Sequence, residues 1–190
     1  METITELLWK KSQIRGEFNF RESMKTIFVT VGNDFHSFYR LIEKIDEQAL
    51  KSKYQFIVQY GYSKYIPKNI PAKYGILSRD EYYDKFRSAD MIISHAGIGT
   101  IMDGIQMKKR MIVIPRLHKF GEHFNDHQLE IVSAIGENYE NIKIINDVSL
   151  LESCINELFS KNIRFPNPPD IKSLPLIKEI KYFIENEKAL

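Results

Sequence analysis

Short apolar runs and helical stripes alternate along this chain. Ile27, Phe28, Val29, Thr30 and Val31 make a β-rich run that stops at Gly32. Behind it, Phe35, Phe38, Ile42, Ile45 and Ala49 recur at helical spacing, with Asp34 placed to act as N-cap. The alternation continues with strands expected over 54–59, 74–77, 91–94, 111–114 and 142–145. Helices are expected over 80–89, 98–107, 122–135 and 150–160, and residues 61–71, rich in Tyr, Lys and Pro, read as a loop. Repeated strand-helix units predict an α/β fold, a Rossmann-like parallel sheet with helices on both faces. The strands are near-continuous in apolar residues, as strands buried on both faces should be.

The two ends depart from this pattern and leave a domain over residues 26–163. Residues 1–25 form an appendage in which Ile4, Leu7 and Leu8 make one amphipathic turn. Met24-Lys25 resembles a start site, so the segment before it is either an upstream-start artefact or a docking arm. Residues 164–190 read as a proline-marked linker and a helix with the stripe Leu176, Ile177, Ile180, Phe183 and Ile184. That stripe either packs on the parent domain or binds a partner.

In parallel α/β sheets, ligands bind beyond the carboxyl ends of the strands. The rule selects residues 30–34, 77–79, 94–100 and 115–122. The second-last of these holds Ser94-His95-Ala96-Gly97-Ile98-Gly99-Thr100, a glycine turn between a strand and a helix. Two glycines let the backbone approach a ligand closely, and the free N–H groups of the next helix then face an anion such as a phosphate or diphosphate. The turn lacks the third glycine of the dinucleotide fingerprint, and no P-loop pattern occurs.

In the following helix Ile98, Ile101, Met102 and Ile105 define the expected buried stripe, with Asp103 off it on the side of Gly99 and Thr100. Asp103 either receives the hydroxyls of a ribose or complements the helix dipole. In the helix over 122–135, Phe124, Gln128, Ile131 and Ile135 share a face. Gln128 is thus a polar residue on an apolar stripe, whose amide needs either a sugar hydroxyl or a backbone group as partner. His123 and His127 are four apart, but Phe124 replaces the glutamate of a zinc-protease motif and no third ligand is evident, so no metal is expected. Arg116, His118 and Lys119 make the mouth at residues 115–121 cationic, through either an anionic ligand or solvated surface charge.

Bulk properties narrow the classes. The 190 residues suit one domain and leave no room for a second catalytic domain. With 27 basic against 25 acidic residues the net charge is +2, which gives no sign of a nucleic-acid partner. The single cysteine, Cys154, lies on an apolar stripe and reads as a core thiol in a reducing compartment. No run has the length of a membrane span and no signal-like segment opens the chain, so a cytoplasmic protein is expected.

Taken together, residues 94–103, the run from Lys109 to Arg116, and Phe120-Gly121-Glu122-His123-Phe124-Asn125-Asp126-His127-Gln128-Leu129-Glu130 resemble the C-terminal domain of glycosyltransferase family 28. The opening Ile27-Phe28-Val29-Thr30-Val31-Gly32 is similar too, so the resemblance spans about residues 25–160. It is nearest to the stand-alone PssE-type subunits of bacterial exopolysaccharide synthesis. Residues 95–103 and 125–130 also resemble the two-component N-acetylglucosaminyltransferase of dolichol-linked oligosaccharide synthesis. In the single-chain relative MurG, this domain is the donor-binding half of a two-domain GT-B enzyme.

The resemblance implies a UDP-sugar held at Gly32, Asn33 and the turn Gly97, Ile98, Gly99 and Thr100. It implies ribose at Asp103, where the family usually has glutamate. Uracil would lie near Leu77, with Arg116, His127 and Gln128 toward the phosphate and sugar. No cofactor is implied. The partners implied are a membrane-anchored acceptor-side subunit, which recruits the chain to the inner face of the cell membrane, and a lipid-linked saccharide. The general base is expected on that subunit, His123 and His127 being the weak candidates in this chain. Rival readings are a non-catalytic nucleotide-sugar-binding or scaffold subunit, and a nucleotide-sugar epimerase or hydrolase.

Overall fold

The computed structural model describes residues 24–135 and 139–165. The amphipathic turn of the first 23 residues and the stripe from Leu176 to Ile184 lie outside them. Among the described residues six strands are formed: β1 (Thr26–Thr30), β2 (Gln55–Gln59), β3 (Ala72–Tyr74), β4 (Met91–His95), β5 (Arg110–Ile114) and β6 (Ile142–Ile144). They pair in the order β3-β2-β1-β4-β5-β6, every pair parallel. Among the described residues five α-helices connect or follow them: α1 (Tyr39–Ala49), α2 (Arg79–Ser88), α3 (Ile98–Gln106), α4 (His127–Ile135) and α5 (Leu151–Ser160).

The period of two along each strand divides the core. Ile27, Val29, Met91, Ile93, Ile112 and Ile114 face α1 and α5, whose Leu41, Ile42, Ile45, Cys154, Ile155 and Leu158 complete one layer. Phe28, Ile92, Met111 and Val113 face the other way, against Phe86 of α2, Ile101 and Ile105 of α3 and Val132 and Ile135 of α4. This is the predicted sheet with helices on both faces, and Cys154 is the expected core thiol. Gly104 lets α3 lie close to the sheet, because a Cβ there would collide with the Met111 sulfur. No helix among the described residues is long and apolar enough to cross a membrane.

Several expected boundaries move, each for a local reason. The first helix begins at Tyr39 because the Asp34 carboxylate accepts from the His36 N–H at 2.7 Å, closing a turn instead of capping a helix. Phe35 is left 76% exposed. The third strand is Ala72–Tyr74, in register with Ile57 to Gln59, and residues 75–77 lie past its end.

The helix expected from 122 starts at His127. Gly121 turns the chain with a left-handed φ of 65°, and the Glu122 side chain is drawn inward to the Leu117 N–H at 3.0 Å. Phe124 therefore faces solvent. Ile98, the first residue of α3, is 53% exposed and does not belong to the buried stripe. A capping box, Ser78 with Glu81, opens α2.

Candidate functional site

Strand order reverses between β1 and β4, and the loops leaving their carboxyl ends diverge there to open a crevice. It is a cavity of about 520 Å³ lined from β1 by Thr30, Gly32 and Asn33, from β2 by Gln59, and from β4 and α3 by His95, Gly97, Gly99, Thr100 and Asp103. Leu77, Ser78, Arg79, Tyr82 and Tyr83, at the start of α2, close the remaining side. Of the residues predicted from sequence, Gly32, Asn33, Leu77, Gly97, Gly99, Thr100 and Asp103 meet here. Ile98, Arg116, His127 and Gln128 do not line it.

The two glycine turns share a function within the protein: both make room for one imidazole. Gly32 has φ of 73°, and a Cβ there would lie 2.6 Å from His95 Cε1; a Cβ at Gly97 would collide with His95 Nε2. His95 thus sits beneath both turns. Burial, and then the charge of Arg116, push its pKa down to about 4, so its ring is neutral at physiological pH. A Cβ at Gly99 would meet nothing within 4 Å, so that glycine leaves open space on the cavity side.

The N-terminus of α3 has no side-chain cap: Gly97 occupies the N-cap, and the first helical bond is Ile101 N–H to the Gly97 carbonyl at 3.1 Å. The amides preceding Ile101 are the orphan donors of a helix start, and they carry its positive dipole end. Such an end holds an anion.

Asp103 lies one turn further along the same helix. Its carboxylate accepts from the Tyr83 hydroxyl at 3.2 and 3.4 Å. Burial raises its pKa, with the Tyr83 bond and the charge of Arg79 pulling the other way. Beside it, burial pushes Tyr82 up to about 12. On the opposite wall Thr30 Oγ1 donates to Gln59 Oε1, and Gln59 Nε2 donates to Asn33 Oδ1 at 3.1 Å, which fixes the Asn33 amide at the rim.

The β5 loop corrects the sequence expectation. Arg116 is not a cation at the mouth but fully buried. Its Nη1 donates to the His36 and Glu122 carbonyls at 2.8 and 3.0 Å and its Nη2 to the Val31 carbonyl at 2.8 Å, over the ring of Phe38. Burial lowers its pKa to about 10, still far above neutrality. His118 and Lys119 are exposed.

Gln128 is buried, and its Oε1 accepts from the Ala96 and Arg116 N–H groups at 3.1 and 3.0 Å, tying the β4 turn to the β5 turn. The backbone partner, of the two open for it, is the one the structure supplies to this oxygen. The two histidines differ. His127 is exposed and paired with Glu130 at 2.8 Å, whereas His123 is largely covered, with Nε2 at 3.6 Å from Asp34. Among the described residues no group of three or more His, Cys, Asp or Glu side chains forms a metal-binding cluster.

Thr30, Ser78, Arg79 and His95 line the cavity from the selected strand-end segments without having been given a ligand role, and Gln59, Tyr82 and Tyr83 line it without having been selected from sequence. Strand-end position was a signal for Thr30 and Gln59, and the S-x-x-E box for Ser78. Nothing in the helical pattern separates Tyr82 and Tyr83 from ordinary packing residues.

The glycosyltransferase family 28 C-terminal domain matches residues 26–180. Among solved structures, the glycotransferase of kitacinnamycin superposes with a TM-score of 0.51 at 17% identity over 88% of this chain and 39% of that one. The solution structure of ALG13 gives 0.49 at 16% identity, over 83% and 94%. SnogD from Streptomyces nogalater gives 0.45 at 14%, over 85% and 44%. The chain thus spans less than half the length of the first and third of these. No curated protein matches it in sequence. A switch-point cavity with an uncapped helix N-terminus, on a sheet that the family covers from β1 to beyond α5, leads to one assignment: the chain belongs to the glycosyltransferase family 28 C-terminal domain family, built on a Rossmann-like parallel α/β sheet.

Proposed function

We propose that this chain is the donor-binding, catalytic subunit of a two-component inverting glycosyltransferase that uses a UDP-sugar. The observation that carries this is the uncapped N-terminus of α3 facing the cavity, with the Asp103 carboxylate one turn behind it. The amides of that first turn receive the diphosphate, and Asp103 accepts from the ribose hydroxyls. Uracil lies against Leu77. Neutral His95 under the two glycines presents a dipole without the charge that would hold the product tightly, and buried Arg116 adds positive potential from behind.

In the transfer, an acceptor hydroxyl oxygen bonds to the anomeric carbon as the bond from that carbon to the diphosphate oxygen breaks. Its electron pair leaves on UDP, where the oriented amides stabilise the developing charge without a metal ion. The acceptor proton passes to a base on the acceptor half. His123 and His127 lie outside the cavity, which supports placing the base on a partner. The acceptor is a polyprenyl-diphosphate-linked saccharide of exopolysaccharide or capsule synthesis. The partner is membrane-anchored and draws the cytoplasmic chain to the membrane, with the stripe Ile177, Ile180, Phe183 and Ile184 as its contact.

Calorimetry with EDTA present tests the donor site. UDP and UDP-sugars should bind without divalent ion; heat with NAD or ATP and none with UDP overturns the assignment. Transfer should appear only on co-expression with the membrane-anchored partner. UDP binding with no transfer even then favours a non-catalytic sugar-nucleotide-binding subunit.

A further inference from the structure

Tyr82 and Tyr83 are consecutive on α2 and both line the cavity, where the Tyr83 hydroxyl bonds Asp103 of α3. The Tyr83 hydroxyl is the one hydrogen-bond donor to the Asp103 carboxylate among the described residues. Its ring is itself held in place, edge-to-face against Tyr82 at 5.3 Å and beneath the guanidinium groups of Arg79 and Arg87 at 5.8 and 5.5 Å. The hydroxyl is therefore a fixed point, and the short Asp103 side chain is oriented by it. An ionised carboxylate offers about four lone-pair sites, so one phenol leaves room for both hydroxyls of a ribose.

We infer that Tyr83 is a positioning residue that aims the Asp103 carboxylate at the ribose, making the cavity selective for a ribonucleoside diphosphate over its 2′-deoxy counterpart. The inference rests on the donor-site reading above and adds to it a residue outside the glycine turns. The physical reason is that Asp103 is partly desolvated. Without the phenol its carboxylate loses its protein donor, turns freely and ionises less readily. The ribose hydroxyls then meet a poorly aimed acceptor, while contacts to base and diphosphate are untouched.

The experiment is calorimetric titration of the full chain, wild type and Tyr83→Phe, with UDP and with 2′-deoxy-UDP, at neutral pH and at successively lower pH through the acid-side loss of UDP affinity. Tyr83→Phe should weaken UDP about three- to tenfold, the loss expected of one hydrogen bond, and change 2′-deoxy-UDP less than about twofold. The wild-type preference for UDP should shrink accordingly. The acid limb of UDP affinity should move to higher pH, because the lost bond was lowering the Asp103 pKa. In an Asp103→Asn background the Tyr83→Phe change should add nothing to the loss of UDP affinity.

Equal weakening of both nucleotides, with no movement of the acid limb, makes Tyr83 a packing residue between α2 and α3 and overturns the inference. So does an additive loss in the Asp103→Asn background. A wild-type chain that binds neither nucleotide fails the donor-site reading itself. Binding of UDP with the preference untouched by Tyr83→Phe fails this inference alone.

Discussion

Two corners of the same sheet edge carry similar polar residues and use them in opposite ways. At the end of β4, the amides of α3, the Asp103 carboxylate and the hydroxyls of Thr100 and Tyr83 border an open cavity. At the end of β5, Arg116, Glu122 and Gln128 are all buried and bonded within the chain. Glu122 receives Arg40 Nε at 2.8 Å and Nη2 at 3.1 Å, Arg116 holds three carbonyls, and Gln128 joins two turns. A charged residue at a strand's carboxyl end is thus not in itself a ligand contact. What separates the corners is whether the groups are buried among their partners or border open space, and the β5 corner is the frame that holds the β1 and β4 turns open.

Breaking the frame should have the largest effect. Arg116→Met leaves the Val31, His36 and Glu122 carbonyls without their buried donor. It should cost roughly 3–5 kcal/mol in urea unfolding, with UDP affinity lost alongside. Lysine should not rescue it, since a single ammonium cannot reproduce the guanidinium fork. Near-wild-type stability of Arg116→Met would erase the distinction between the corners.

The next effect is in pH. His95 titrates at about 4 in the folded chain against 6.5 for the unperturbed group, so the unfolded state binds more protons between those values. Its contribution is present above pH 6.5 and is lost as pH falls toward 4. The loss should approach about 3 kcal/mol, from 1.36 kcal/mol per pKa unit. His95→Gln should flatten that part of the stability profile measured by chemical denaturation. An unchanged slope would mean that His95 is not the buried neutral ring between the glycines.

The smallest effects compare the corners directly. Asp103→Ala should weaken UDP by about ten- to more than hundredfold, or roughly 1.5–3 kcal/mol, and leave the melting temperature nearly unchanged. Gln128→Ala should do the reverse. Two buried N–H groups lose their acceptor, at roughly 1–3 kcal/mol of stability, while UDP affinity falls less than in Asp103→Ala. If Gln128→Ala costs affinity and no stability, its amide belongs to the ligand and the comparison fails.

The sequence by itself determined the strand and helix order, the two-sided core and the glycine turn, because these depend on local periodicity and on the backbone freedom of glycine. Ile27, Phe28 and Val29 read as a doubly buried strand and are one; Gly97 and Asp103 read as neighbours of an anion site and border the cavity. Only the tertiary structure decided which polar side chains remain free. Arg116 is spent on a carbonyl 85 residues away, Glu122 on an arginine 82 away, and Gln128 on the amide of Ala96, 32 away. Tyr83 reaches Asp103 across 20 residues. A hydrogen-bond partner at such separation leaves no trace in local pattern, since it exists only once the sheet has brought the strand ends together.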